Sequence, residues 1–316
     1  MNAVASQRID GDGRVQISLA ELIALRARVT RARMSALSSR DARSGQQSSR
    51  LYGRGMDYAE SRVYQAGDDV RRLDWRLTAR SGKLHTKLFQ EDREGCLLIL
   101  LDTHDSMCFG TRVRYKSVQA GRAAASAAWY ASRAGERVGV MAFGRLQQLL
   151  RPQTGSHGAL AVCGALAQWD AASPPTIPGP APSESLGDAL TRAGRVLHGA
   201  SRVLLISDGF SCDGSARQRL IDLSRRVAVS VLVVADTLEL APAPAGRYPM
   251  EHHGQRSEVL LHSDRQRHDF QRALGSGPAR LAELAQSLRL RNRSIDTAAD
   301  AFDAVSVLLG GRRVSV

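Results

Sequence analysis

Leu98-Ile-Leu-Leu-Asp102-Thr-His104-Asp-Ser106-Met107 and Val203-Leu-Leu-Ile-Ser207-Asp208-Gly209 decide the fold. In each, an unbroken apolar run stops at an acidic residue and turns into a polar loop. A short run without alternation marks a strand buried on both faces, the habit of parallel sheets covered by helices. Cys96–Leu101 is such a strand. The Ala-rich segment Arg114–Arg133 predicts a closely packed helix that stops near Gly135. Val138–Phe143 reads as a second strand, Leu146–Leu150 as an edge strand and His157–Trp169 as a helix. Pro174, Pro175, Pro178, Pro180 and Pro182 exclude regular helix and make 171–182 an extended surface connection. Beyond it, Leu186–Leu197 predicts a helix, Val203–Ile206 a strand, Ala216–Val227 a helix and Val229–Ala235 a strand. The pattern closes with a strand at Glu258–His262, helices at Asp264–Leu274 and Ala279–Leu288, a short strand at Ser294–Asp296 and a helix at Ala299–Leu309. Strands separated by helices predict an α/β domain over 95–316, its largely parallel sheet flanked by helices.

Two regions precede it. Residues 1–50 form an arginine-rich helix and linker. Ser18 is placed to cap a helix over Ser18–Leu37, with Glu21 completing a capping box. Between Leu22 and Gly53, Arg26, Arg28, Arg31, Arg33, Arg40, Arg43 and Arg50 face a single acid, Asp41. Residues 51–94 alternate polar and apolar positions between glycine turns, which predicts a small β-rich subdomain of short strands and turns.

In open parallel sheets, ligands gather beyond the carboxyl ends of the strands. Asp102 and Asp208 are expected there together, and oxygen donors in such loops suit a divalent cation, magnesium above all. The first segment resembles the D-x-S-x-S motif of the von Willebrand factor A fold, with Asp102 and Ser106 at its first and last positions and Asp208 as the later acid. That resemblance implies a metal-ion-dependent adhesion site of Asp102, His104, Ser106 and Asp208. His104 stands where the family has Ser, and imidazole suits zinc or copper better than magnesium. Ser183, Glu184 or Ser185 would take the place of the family's loop Thr.

Arg62-Val-Tyr64-Gln-Ala-Gly67-Asp68-Asp69-Val-Arg71-Arg72-Leu-Asp74-Trp75, followed by Ala79-Arg80, carries a second and more specific resemblance. It is similar to the signature of the domain of unknown function 58 family, R-x-Y-x-x-G-D-D-x-R-x-I-D-W-x-x-S-A-R. Leu73 and Thr78 replace Ile and Ser. The resemblance implies a protein-binding adaptor, or chaperone-like accessory, of a MoxR-type AAA+ ATPase acting on client proteins. In that reading the signature is either a docking element within the chain or a partner surface.

Composition narrows the alternatives. Neither Cys96–Leu101 nor Ala228–Ala235 approaches the roughly 20 apolar residues of a membrane span. The first residues hold no signal-peptide core, so a soluble cytoplasmic protein is expected. Cys96, Cys108, Cys163 and Cys212 lie far apart and predict neither a zinc site nor a disulfide framework. The net charge of +13 would attract anionic lipid, nucleic acid or an acidic protein. Only 5% of residues are aromatic and none interleave with the basic stretches, which argues against nucleic acid. No P-loop pattern is present. Two alternatives to a binder stand: a metal-dependent hydrolase using Asp102 and Asp208, and a peripheral membrane or nucleic-acid binder acting through the arginine-rich N-terminus.

Overall fold

A computed structural model describes residues 10–32, 56–65, 67–91, 95–172, 183–197, 202–252 and 255–310. In chain order the elements begin with α1 (Leu19–Arg31), β1 (Met56–Val63), α2 (Trp75–Ser81) and β2 (His85–Glu91). Then come β3 (Cys96–Asp102), α3 (Lys116–Arg133), β4 (Arg137–Phe143), β5 (Gln148–Gln153), α4 (Gly155–Ala171) and α5 (Leu186–Val196). β6 (Arg202–Ser207), α6 (Ala216–Ser224), β7 (Ala228–Ala235) and α7 (Thr237–Leu240) follow. The last are β8 (Gly246–His252), β9 (Gln255–Leu261), α8 (Asp264–Leu274), α9 (Ser276–Ser287), β10 (Arg291–Asp296) and α10 (Ala301–Leu309). They fall into two compact units, Met1–Gly45 with Gly95–Val316, and Gln46–Glu94.

The large unit is built on a six-stranded sheet ordered β10-β7-β6-β3-β4-β5. All neighbours are parallel except β4 and β5, so the expected edge strand runs antiparallel. On β3, Leu97, Ile99 and Leu101 enter the core under α1, α3, α4 and α10. Leu98 and Leu100 enter the opposite core under α5, α6 and α9. Both faces being apolar, β3 shows the unbroken run that identified it. Helix α3 lies close because Ala120, Ala123, Ala124, Ala127 and Ala128 are fully buried along it. This is the von Willebrand factor A-like α/β architecture, with the first sheet strand at the centre and the third, antiparallel, at the edge.

Helix α1 belongs to this unit rather than standing apart with a linker. Leu22, Leu25 and Val29 form a buried stripe, as a helix with one apolar face requires. Trp129 Nε1 on α3 donates to the Leu22 carbonyl at 3.0 Å. Ser18 caps the helix by accepting from the Glu21 amide at 3.2 Å. The Glu21 carboxylate meanwhile reaches Arg122 and Arg114. Arg28 pairs with Asp300, and Arg26 lies over the Trp129 ring, so part of the basic cluster serves packing. Arg33, Arg40, Arg43 and Arg50, like the proline-rich stretch 173–182, lie outside the described residues.

In the C-terminal third, the strand expected at Glu258–His262 is β9, paired antiparallel with β8. β8 carries Pro249 and so reads as connection; an edge position needs no donor from that residue. In the small unit, β1 and β2 pair antiparallel. Besides the expected strands and turns it contains the seven-residue α2, capped by Asp74 and ended by Gly82 in a left-handed conformation, φ 69°.

Candidate functional site

The chain leaves β3 toward β4 on one side and returns to β6 on the other, so the carboxyl ends of β3 and β6 form the switch point where α/β sheets place their sites. Asp102 and Asp208 both lie there, buried. Asp102 is fully occupied. Its Oδ1 accepts from the His104 amide at 3.0 Å and pairs with His104 Nδ1 at 2.6 Å. Its Oδ2 accepts from Ser207 Oγ at 2.6 Å and Ser211 Oγ at 2.9 Å. Burial opposes ionisation of Asp102, but the His104 and Ser207 contacts outweigh it and hold the carboxyl below its ordinary value. The His104 ring packs edge-on against Phe143 and over the turn at Gly144. A Cβ on Gly144 would come within 2.6 Å of His104 Nδ1, and its φ of 101° already favours glycine.

Asp208 has a different partner. Lys116, the first residue of α3, sends its ammonium to Asp208 Oδ2 at 2.9 Å and to Glu239 Oε1 at 2.6 Å. The lysine side chain is 1% exposed, and the rings of Phe109 and Phe210 lie 5.6 and 5.4 Å from Nζ. Burial and the neighbouring Asp102 charge raise the Asp208 carboxyl, against the pull of Lys116. Glu239 is raised by burial as well. Its other oxygen accepts from the Asp236 amide at 2.7 Å, within the capping box of α7.

Asp102 governs the ionisation of His104. Burial lowers its pKa, but Asp102 outweighs burial and holds it above 6.5. A histidine whose folded pKa is raised contributes stability that is complete below its unfolded pKa and is lost as pH rises through the folded one. Unfolding free energy is therefore expected to decline as pH climbs above about 6.5. Urea titrations across that window check this, and His104→Gln should flatten the decline.

The residues expected to ligate a metal divide as follows. Asp102, His104 and Asp208 do converge. Ser106 Oγ is buried, close enough to Asp208 to help hold that carboxyl down but outside hydrogen-bonding geometry. That orphan hydroxyl alone speaks for a ligand. Against it, both Asp102 oxygens are taken, Asp208 is covered by an ammonium, and His104 turns Nδ1 to Asp102. Among the described residues no three His, Cys, Asp or Glu side chains are grouped to hold an ion. As it stands, this donor set does not fit magnesium, which demands near-octahedral oxygen and keeps its waters. Ser185 instead caps α5 through the Asp188 amide, and Glu184 pairs with Arg192.

Lys116, Ser207, Ser211 and Glu239 carry the site without having been singled out by motif. One signal was available. Of the 44 Lys+Arg residues only three are lysines, at 83, 87 and 116, so a lysine opening an apolar helix stands out. The cysteines are all free, and burial pushes the thiols of Cys108, Cys163 and Cys212 up to about 11, 12 and 12, which suits packing rather than reaction.

In the small unit each acid of the signature holds a turn. Asp68 pairs with Arg62 at 2.7 Å and accepts from the Gln65 amide, beside Gly67 at φ 105°. Asp69 accepts from the Arg71 amide and opens a short 3₁₀ turn. Asp74 accepts from the Leu77 amide and from Ser61 Oγ. The Tyr64 amide donates to the Leu84 carbonyl. Trp75 is 68% exposed and Val70 60% exposed. Arg71, Arg76 and Arg80 are exposed too, and among the described side chains no acid pairs with them.

No helix among the described residues is long and apolar enough to cross a membrane. An uncharacterized protein of Mycobacterium tuberculosis and one of Mycobacterium bovis are each 40% identical to this chain over 89 residues, 28% of this chain and 28% of theirs. The match thus spans little more than a quarter of those relatives. Among solved structures, the conserved hypothetical protein BatB from Bacteroides thetaiotaomicron is similar at 18% identity, covering 68% of this chain and 97% of that one, TM-score 0.45. The manganese-loaded TRAP protein of Plasmodium vivax is similar at 15% identity, covering 69% and 72%, TM-score 0.37. The family described as Protein of unknown function DUF58 matches residues 60–277, more than half of the chain and including most of the sheet and the whole Arg62–Arg80 signature, and the chain belongs to it.

Proposed function

We propose that this protein is a non-catalytic protein-binding module, an adaptor or chaperone-like accessory that works with a MoxR-type AAA+ ATPase. The observation that carries the reading is a division of labour among polar side chains. The groups that could do chemistry at the sheet end, Asp102, His104, Asp208 and Lys116, are bonded to one another and to structural hydroxyls. The signature instead spends its acids on turns and leaves Trp75 exposed, with Arg71, Arg76 and Arg80 also exposed in the same stretch of chain. Tryptophan and arginine are the residues that anchor protein interfaces. The exposed arginines of the signature favour an acidic patch on the partner, and the ATPase itself is supported by family resemblance.

A hydrolase would need a nucleophile, a base and room for substrate, and the sheet end offers acids already committed to partners. The membrane reading loses part of its support where Arg28 and Arg26 of α1 turn to Asp300 and Trp129. The test is capture from the source cell's lysate by the tagged full chain, with Trp75→Ala alongside. Recovery of an AAA+ ATPase by the wild type, lost in the variant, supports the adaptor. No ATPase on either overturns it, and equal recovery on both keeps the ATPase but removes Trp75 as the docking residue.

A further inference from the structure

We propose that Lys116 is the resident cation of the sheet-end site, so that the protein holds an ammonium where its donor pattern would otherwise take a divalent ion. The inference stands apart from the adaptor reading. Three carboxylates are buried together, Asp102 and Asp208 at the ends of β3 and β6 and Glu239 in α7 just after β7. Buried charges of one sign demand a counter-charge. Asp102 has His104, and the remaining pair share the Lys116 ammonium at 2.9 and 2.6 Å.

The surroundings of Nζ are those of an ammonium rather than a metal. Besides two carboxylate oxygens it meets two aromatic faces, Phe109 and Phe210. Ring quadrupoles attract lysine-type cations, whereas magnesium requires oxygen donors and retains water. The position also runs against the helix. Lys116 opens α3, where the macrodipole disfavours a cation, so the carboxylates and not the helix account for the charge. The choice of side chain points the same way. A chain that takes arginine for nearly all its cations uses lysine here, and a compact point charge fits an ion-sized space that a planar guanidinium does not. The Ser106 hydroxyl, buried beside Asp208 without a well-formed hydrogen bond, marks a ligand that a metal would claim and the ammonium leaves unused.

Titration of Mn2+ into the purified full chain, read by loss of the free-ion electron paramagnetic resonance signal, tests this. Wild type is expected to show no saturable binding, and the same unfolding midpoint with Mg2+, Mn2+ or chelator. Saturable binding that Asp208→Asn abolishes overturns the proposal. Lys116→Ala removes the ammonium and leaves Asp208, Glu239 and Ser106 around an ion-sized gap. It is expected to gain saturable Mn2+ binding, at least about a hundredfold tighter than any residual wild-type association, as loss of a like charge at contact distance allows. Its unfolding midpoint should rise with Mn2+. A folded Lys116→Ala that ignores Mn2+ overturns the proposal, and if the variant does not fold with or without Mn2+, the wild-type titration decides alone.

Discussion

Asp102→Ala is expected to cost the large unit about 3–5 kcal/mol, the range for removing one partner of a buried charged pair. The carboxylate accepts four hydrogen bonds, from the His104 amide and ring and from Ser207 and Ser211. Alanine leaves the buried Ser207 hydroxyl and the half-buried His104 and Ser211 donors facing a void, and much of their desolvation penalty appears at once. For a unit of this size each kcal/mol moves the thermal midpoint by about 2–4 °C, so a fall of about 10 °C follows. Asp102→Asn should recover only part of it. The amide nitrogen brings donors to a place already supplied with donors, and His104 loses the charge that holds its proton. Scanning calorimetry of the three proteins at neutral pH checks the order. A catalytic Asp102 would give a different pattern, with stability kept and turnover lost, and a midpoint unchanged in Asp102→Ala would sink the structural reading of this site.

The second large effect lies in the small unit. Trp75→Ala is expected to weaken partner binding by about thirtyfold or more, the loss of at least about 2 kcal/mol typical of an aromatic anchor at the centre of an interface. Folding should barely notice, because a side chain 68% exposed gives up little packing when truncated. That separation of effects is the point of the experiment. Asp74, which caps α2 directly beneath it, is the contrasting position. Asp74→Ala removes a helix cap and should cost about 1 kcal/mol of local stability. Affinity by calorimetry and helix content by circular dichroism, measured on the same preparations, distinguish the two. If Trp75→Ala unfolds the unit, the indole is a packing residue and the docking surface must be sought elsewhere.

Local pattern was enough for much of this protein. The unbroken run Cys96–Leu101 identified a strand buried on both faces, because burial on two sides removes the need for polar positions. Helix α8 appears at Asp264–Leu274 as its helical stretch indicates, and the structure adds a capping box of Ser263 and Gln266 whose bonds form within four residues. Ser18 likewise announces its helix, and Gly67 its turn, through interactions that close over short distances, whereas the short α2 behind Asp74 was hidden within a stretch that reads as strands and turns. Asp102 and Asp208 at strand ends were legible for the same reason: the strand that carries each is recognisable by itself, and a parallel sheet brings such ends to one edge.

What only the tertiary structure decided is what each of those groups touches. Lys116 lies 92 residues from Asp208 and 123 from Glu239, and no period or spacing links them. Two acids at a sheet end suggested an incoming metal; the fold supplied an ammonium from the start of α3. Helix α1 was visible as a helix, yet its apolar stripe did not say that α3 and α4 would cover it. β8, interrupted by Pro249, becomes a strand only once β9 is beside it. Helix, turn and cap are settled by bonds among near neighbours, and the sequence by itself determined them. Charge pairing and packing depend on distance in space, and the folded chain alone sets that distance.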